Sequence, residues 1–145
     1  MCIRDRWVQC FEIGTLRELR ATSQLRLVQL VGGLDERPAD GGPTYGQMLT
    51  PEGLAEVATY AHAVGVWKHH LLPLDDQGRY SAATSVVADA HAAGLEVHVY
   101  TFRDESDARP AEDASPADEL RRYRALGVDA VFADHPDTAL AAFAG

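Results

Sequence analysis

One pattern repeats five times along this chain and constrains its fold more than any other feature. A short run rich in Val, Leu, Ile or aromatic residues is followed each time by a helix signal. The runs cover residues 7–13, 26–31, 68–74, 96–102 and 130–133. Runs of that length and composition suit strands buried on one or both faces. Helices are expected at 15–21, 51–63, 85–93, from 116 up to Gly127, and from 136 to about 143. Thr50, Thr84 and Ser115 are the expected caps, Pro51, Pro116 and Pro136 the expected first-turn residues, and Gly94 and Gly127 the expected stops. A strand–helix alternation of this kind predicts a parallel sheet.

Two architectures share that alternation. A five-stranded doubly wound sheet is complete at 145 residues. A (β/α)8 barrel takes about 250, and eight units at the present spacing of about 29 residues would need roughly 230. Spacing alone does not choose between them. Loop lengths say more. Helix-to-strand returns are short, whereas the strand-to-helix segments 32–49 and 103–115 are long, polar and rich in Gly, Pro or acidic residues. In a parallel sheet all such loops lie at the carboxyl ends of the strands, where substrate-binding faces are built.

Composition narrows the partners. The net charge is −9 and the pI about 5.0. Nucleic acid and anionic membrane surfaces both require a basic face, so neither is expected as a partner. An anionic substrate would need a local cation or a metal to offset the repulsion. Two cysteines, Cys2 and Cys10, are too few for a disulfide framework. No apolar run approaches the roughly 20 residues of a membrane span. Residues 1–6 carry no apolar signal core and read as a leader or junction, with the domain occupying 7–145.

Several residues sit where chemistry is expected. Glu12 follows the first strand and is placed either to bind a metal or substrate hydroxyl or to cap the helix behind it. Lys68, at the edge of the third expected strand beside Trp67, is either a phosphate contact or a solvated lysine. His69 and His70 are adjacent, and adjacent strand residues face opposite ways, so they do not share an ion easily. Alternation in V-H-V-Y-T-F-R puts His98, Tyr100 and Phe102 on one face, as pocket lining or as core. Arg103 is a second candidate phosphate contact. Asp134, His135 and Asp137 surround Pro136 at a helix start, where acids are favoured by capping and by the helix dipole. The six histidines form no H-x-x-x-H or H-E-x-x-H spacing, and there is no phosphate loop, dinucleotide fingerprint or nucleophile elbow.

Four segments together resemble the glycerophosphodiester phosphodiesterases, in the longer bacterial and plant form. V-Q-C-F-E-I-G-T-L-R-E-L-R at 8–20 is similar to that family's Q-S-F-E strand and helix, with Cys10 in place of Ser. Residues 50–68, ending G-V-W-K, are similar to its helix leading to G-P-W-K. Residues 84–103, with D-A-H-A-A-G-L-E-V-H-V-Y-T-F-R, and 127–140, with G-V-D-A-V-F-A-D-H-P-D-T-A-L, complete the match in family order.

The resemblance implies an α/β fold, an incomplete (β/α)8 TIM-type barrel comprising strands four to eight with their helices. It implies a parent that hydrolyses a glycerophosphodiester to sn-glycerol 3-phosphate and an alcohol, using a divalent metal, calcium or magnesium, and that is periplasmic or secreted. The family's H-R-G and E-x-D segments and its P-E-x-K-like strand have no counterpart in this sequence. The chain by itself is therefore expected to hold no metal and to be inactive. Lys68 and Tyr100 are the implied substrate-side residues, with Arg103 and Glu12 beside them, and the partner is a small glycerophosphodiester. A non-catalytic phosphodiester-binding module and an unrelated doubly wound domain are the competing readings. Five barrel strands cannot close, so a curved, open sheet with association-prone edges is expected.

Overall fold

The computed structural model describes residues 6–144. Of the expected leader only Arg6 falls among them; residues 1–5 lie outside the described part, as does Gly145. The elements run β1 (Trp7–Cys10), α1 (Ile13–Thr22), β2 (Arg26–Leu30), α2 (Tyr45–Met48), α3 (Pro51–Val57), β3 (Ala63–Trp67), α4 (Lys68–Leu71), α5 (Val86–Ala92), β4 (Glu96–Phe102), α6 (Pro116–Ala125), β5 (Ala130–Ala133) and α7 (Pro136–Ala144). All five strands are parallel, and their order in the sheet is their order in the chain. A doubly wound sheet reverses direction at a switch point; this one does not, and it forms a half-barrel.

Register explains the two faces. Gln29, Val64 and Val97 are aligned across β2, β3 and β4, and so are Leu30, Gly65 and His98. Val64 and Val97 of the first row, with Leu27, Val66 and Val99 on the same face, belong to the main core with Leu16, Leu54, Val57, Leu120 and Tyr123 from the helices, and Gln29 is a buried polar residue. The second row faces the concave side. There a Cβ added to Gly65 would lie 2.6 Å from a Leu30 methyl and 3.2 Å from Val28, so the close approach of neighbouring strands demands glycine.

Several sequence expectations are met locally. Thr50 accepts the Gly53 N–H at 3.1 Å, with Pro51 in the first turn. Ser115 accepts the Asp118 N–H at 3.2 Å ahead of Pro116. Gly94 and Gly127 have φ of 80° and 92°, the left-handed conformation that ends a helix with least strain in glycine.

The third unit differs from expectation. Its strand is Ala63–Trp67, not 68–74, and the preceding helix stops at Val57 instead of running to 63. A-V-G-V-W is a short apolar run that periodicity does not assign, and its tertiary setting, with Ala63 to Val66 buried, makes it a strand. The K-H-H-L stretch is then one turn of helix. Thr84 does not cap α5; its hydroxyl donates to the His70 carbonyl at 2.8 Å, and Ser85 holds the cap position without a side-chain cap bond. The β1 strand is also shorter than 7–13, with Ile13 already in α1.

The β4–β5 pairing carries one further correction. Val99 pairs Val131 and Phe102 pairs Ala133, so β4 spends three residues where β5 spends two. That bulge flips the alternation. Phe102 therefore does not continue a His98–Tyr100 stripe; it packs on the helix side against Tyr123, with ring centroids 5.1 Å apart.

Candidate active site

The carboxyl ends of the strands hold two cavities that share Tyr100. One, about 370 Å³, is lined by Gln9, Phe11, Leu30, Tyr100, Phe132 and Asp134 among others. The other, about 430 Å³, lies towards β3 and is lined by Gly33, Trp67, His69, His70, Pro73 and Tyr100 among others. A third cavity of about 460 Å³ lies along β5 and α7, includes Leu140 and Phe143, and belongs to the open side of the sheet. Leu140 is 72% exposed there.

Tyr100 faces the concave side, as its pairing with Trp67 requires. Its hydroxyl donates to the Val31 carbonyl at 2.5 Å. Burial, followed by the charges of Tyr45 and Glu36, raises its pKa above the ordinary phenol value. It is thus a neutral, oriented ring that divides the two cavities. Arg103, one residue beyond β4, pairs with Asp134 at 3.1 Å, both side chains about half exposed. Asp134 is itself anchored, its N–H donating to the Phe102 carbonyl at 3.0 Å. An exposed pair of this kind contributes little to stability.

Glu12 ends the β1 turn and occupies the cap position of α1, but its side chain makes no capping bond. It accepts instead from the Cys10 thiol at 2.8 Å. Burial, followed by the Glu12 charge and then Glu36 and Asp40, raises the Tyr45 pKa. The ends of β1 and β2 are therefore acidic. Among the described residues, however, no three His, Cys, Asp or Glu side chains are grouped so as to hold a metal ion. The described donor set does not fit the calcium or magnesium that the family resemblance implies, and no chemical step is derived through one.

Lys68 stands apart from the other three candidates. It is neither at a strand edge nor solvated. It opens α4, is 4% exposed, and places its ammonium 2.6 Å from Glu119 on α6. The ammonium also lies 5.6 Å from the centre of the Phe102 ring, and the Lys68 carbonyl accepts from the Tyr123 hydroxyl at 2.9 Å. Because Trp67 faces the concave side, the next residue is turned to the helix layer. His69 and His70, expected on opposite faces of a strand, instead share the α4 turn. Their rings stand edge-on to Trp67 at 4.6 and 5.6 Å. Burial lowers the pKa of each.

Two features of the site were not read from the sequence. Trp67 is 46% exposed on the concave face, and only the correct register of A-V-G-V-W reveals it. The 72–84 and 103–115 loops are also tied together. The Asp113 side chain is fully buried; it takes two bonds from Arg122, at 3.1 and 2.8 Å, and one from the Tyr80 hydroxyl at 2.5 Å. Arg122 stacks over the Tyr80 ring at 4.6 Å.

A sequential, all-parallel half-barrel with cavities at the carboxyl strand ends defines this protein as a β/α-barrel-type protein. The glycerophosphoryl diester phosphodiesterase family profile matches residues 2–138, and the chain belongs to that family. It is 39% identical over 112 residues to the glycerophosphodiester phosphodiesterase GDPDL3 of Arabidopsis thaliana, covering 75% of this chain and 14% of that protein. Arabidopsis GDPDL1 is 38% identical over 117 residues, covering 79% and 15%. A solved structure named "Putative glycerophosphoryl diester phosphodiesterase", from Silicibacter pomeroyi DSS-3, superimposes with a TM-score of 0.61 at 21% identity, covering 94% of this chain and 37% of that one. The chain thus spans a minor part of the length of each of these relatives.

Proposed function

We propose that this chain is the carboxyl-terminal part of a metal-dependent glycerophosphodiester phosphodiesterase barrel, corresponding to strands four to eight, and that it contributes substrate-binding residues to that reaction. The observation that carries the reading is the family match across residues 2–138. The concave cavities at the strand ends support it. In this reading Arg103 exchanges Asp134 for the substrate phosphate, a charge-assisted bond. Tyr100 packs against the substrate and keeps its hydroxyl proton. Glu12 accepts from a glycerol hydroxyl. Lys68 acts through position: its bond to Glu119 holds α4 and so sets the direction of Trp67.

None of these groups handles both the attacking water and the leaving alkoxide, so the chain's residues bind and orient. The acid/base work falls to the histidine segments that the family resemblance places outside these 145 residues. The missing grouping of metal ligands among the described residues favours one second reading, a non-catalytic phosphodiester-binding module.

Both readings are tested on the purified chain. A titration with sn-glycerol 3-phosphate should move the NMR signals of Tyr100 and Arg103, and Arg103→Ala should abolish the effect. Incubation with glycerophosphocholine and calcium or magnesium should release no glycerol 3-phosphate. Metal-dependent release would overturn the assignment of chemistry to other segments. Absence of any shift at the strand ends would overturn the binding role in both readings.

A further inference from the structure

A second polar feature lies on the helix layer, beside the returns that lead into the amino ends of β2 and β3. A cavity of about 400 Å³ opens between α1 and the end of α3, lined by Arg17, Arg20, Ala21, Glu56, Thr59 and Tyr60. Arg17 and Arg20 are three residues apart on α1 and so share one face of that helix. The Arg17 guanidinium stands over the Tyr60 ring, 5.2 Å from its centre. It also pairs with Glu56 at 2.5 Å, both side chains more than half exposed. The Tyr60 hydroxyl donates to Gln29 at 2.9 Å, which fixes the ring as a wall.

His62 immediately precedes β3 and completes this corner. Its backbone N–H donates to the Leu27 carbonyl at 2.9 Å. Its ring Nδ1 accepts the Leu27 N–H at 3.1 Å. Leu27 is fully buried, so orphaning its N–H is costly and Nδ1 keeps its lone pair there. A neutral imidazole then carries its proton on Nε2. Burial, followed by the Arg20 and Arg26 charges, lowers the His62 pKa, with Glu96 opposing. Arg20 Nη1 stands 2.5 Å from that same Nε2. A guanidinium only donates, so the contact brings two donors together and neither satisfies the other. An acceptor set beside both does. The carboxylates around the corner are engaged elsewhere, Glu56 with Arg17 and Glu96 with His98 at 3.0 Å.

We infer that Arg20, the His62 Nε2–H and Arg17 form an oxyanion site for free phosphate or the phosphate of a small monoester. Donors from three side chains outnumber the two oxygens of a carboxylate and suit a tetrahedral phosphate. The site is independent of the phosphodiester reading, whose residues Tyr100, Arg103 and Glu12 lie at the carboxyl ends of the strands.

The test is a titration of the full chain at pH 8 with sodium phosphate, against sodium chloride and sodium acetate at matched ionic strength. Ring ¹⁵N signals of His62, assigned with His62→Gln, should show the Nε2–H tautomer. Phosphate should shift them and the Arg20 side-chain signal saturably. Arg20→Gln should weaken phosphate at least tenfold, the loss of one charge-assisted bond. Glu56→Gln, which removes the acceptor competing for Arg17, should tighten it roughly two- to fivefold, the size of an exposed ion pair. A gain of that kind does not arise from damage to the fold. Phenyl phosphate separates the two sources: stronger binding than phosphate assigns a monoester, weaker or equal binding assigns the free ion, and either sustains the site. An Nδ1–H tautomer would let Nε2 accept directly from Arg20 and overturn the inference. Equal shifts with chloride or acetate would do the same, as would phosphate shifts confined to Tyr100 and Arg103.

Discussion

Lys68→Ala is the substitution on which the structure and the simplest sequence reading disagree most. A solvated strand-end lysine can be truncated at little cost, usually within about 0.5 kcal/mol. The structure predicts otherwise. The side chains of Lys68 and Glu119 are 5% and 1% exposed and meet at 2.6 Å. Glu119 Oε2 has no hydrogen-bond partner, so the ammonium on Oε1 is the chief compensation for a buried carboxylate. Removing one partner of such a pair typically costs about 3–5 kcal/mol, whereas replacing both with apolar groups of similar size is often neutral. Lys68→Ala should therefore lose about 3–5 kcal/mol at pH 8, and Lys68→Met/Glu119→Leu should recover most of it. The sign of the pH dependence follows from Glu119. Burial already raises its pKa, against the pull of Lys68, and without Lys68 it rises further. A carboxyl whose folded pKa exceeds its unfolded value takes up a proton preferentially in the folded state, so stability increases as pH falls from the folded towards the unfolded pKa. The defect of Lys68→Ala should thus shrink between pH 8 and about pH 5. Urea unfolding at both pH values for the single and double variants measures this. A loss under about 1 kcal/mol at pH 8, or a double-mutant coupling near zero, would refute the buried-pair argument.

Two further substitutions probe the frame around the site. Asp113→Asn removes the charge that binds Arg122 and Tyr80; it should cost about 1.5–3 kcal/mol, and hydrogen exchange should accelerate in residues 74–83 and 104–114 together. Faster exchange in only one loop would show that the two are not coupled through Asp113. Gly65→Ala puts a methyl 2.6 Å from Leu30 and should cost about 1–3 kcal/mol by thermal or urea unfolding, with Leu30→Ala in the same chain relieving part of it; a neutral Gly65→Ala would show that the concave layer is looser than described.

Much of this protein is determined by local sequence. Alternating apolar runs and helix signals specify five β/α units, because a strand buried by crossover helices and a helix with one apolar stripe leave different periodicities. Thr50–Pro51, Ser115–Pro116, Gly94 and Gly127 mark ends, because orphan backbone groups and positive φ have few chemical solutions. Four family segments in order identify the relatives. The candidates Tyr100, Arg103 and Glu12 fall at carboxyl strand ends, since unit order alone places them there.

What local sequence does not contain is phase. A-V-G-V-W is a strand and K-H-H-L a helical turn only because Gly65 lets β2 and β3 close over Leu30, and that shifts every later residue of the unit to a different face. Phe102 leaves the Tyr100 face because one extra residue in β4 flips the alternation against β5. Lys68 is buried because Glu119, 51 positions away in the chain, supplies the counter-charge that makes burial tolerable. Each of these is a pairing between distant segments, and each decides which side chains meet a substrate and which hold the fold.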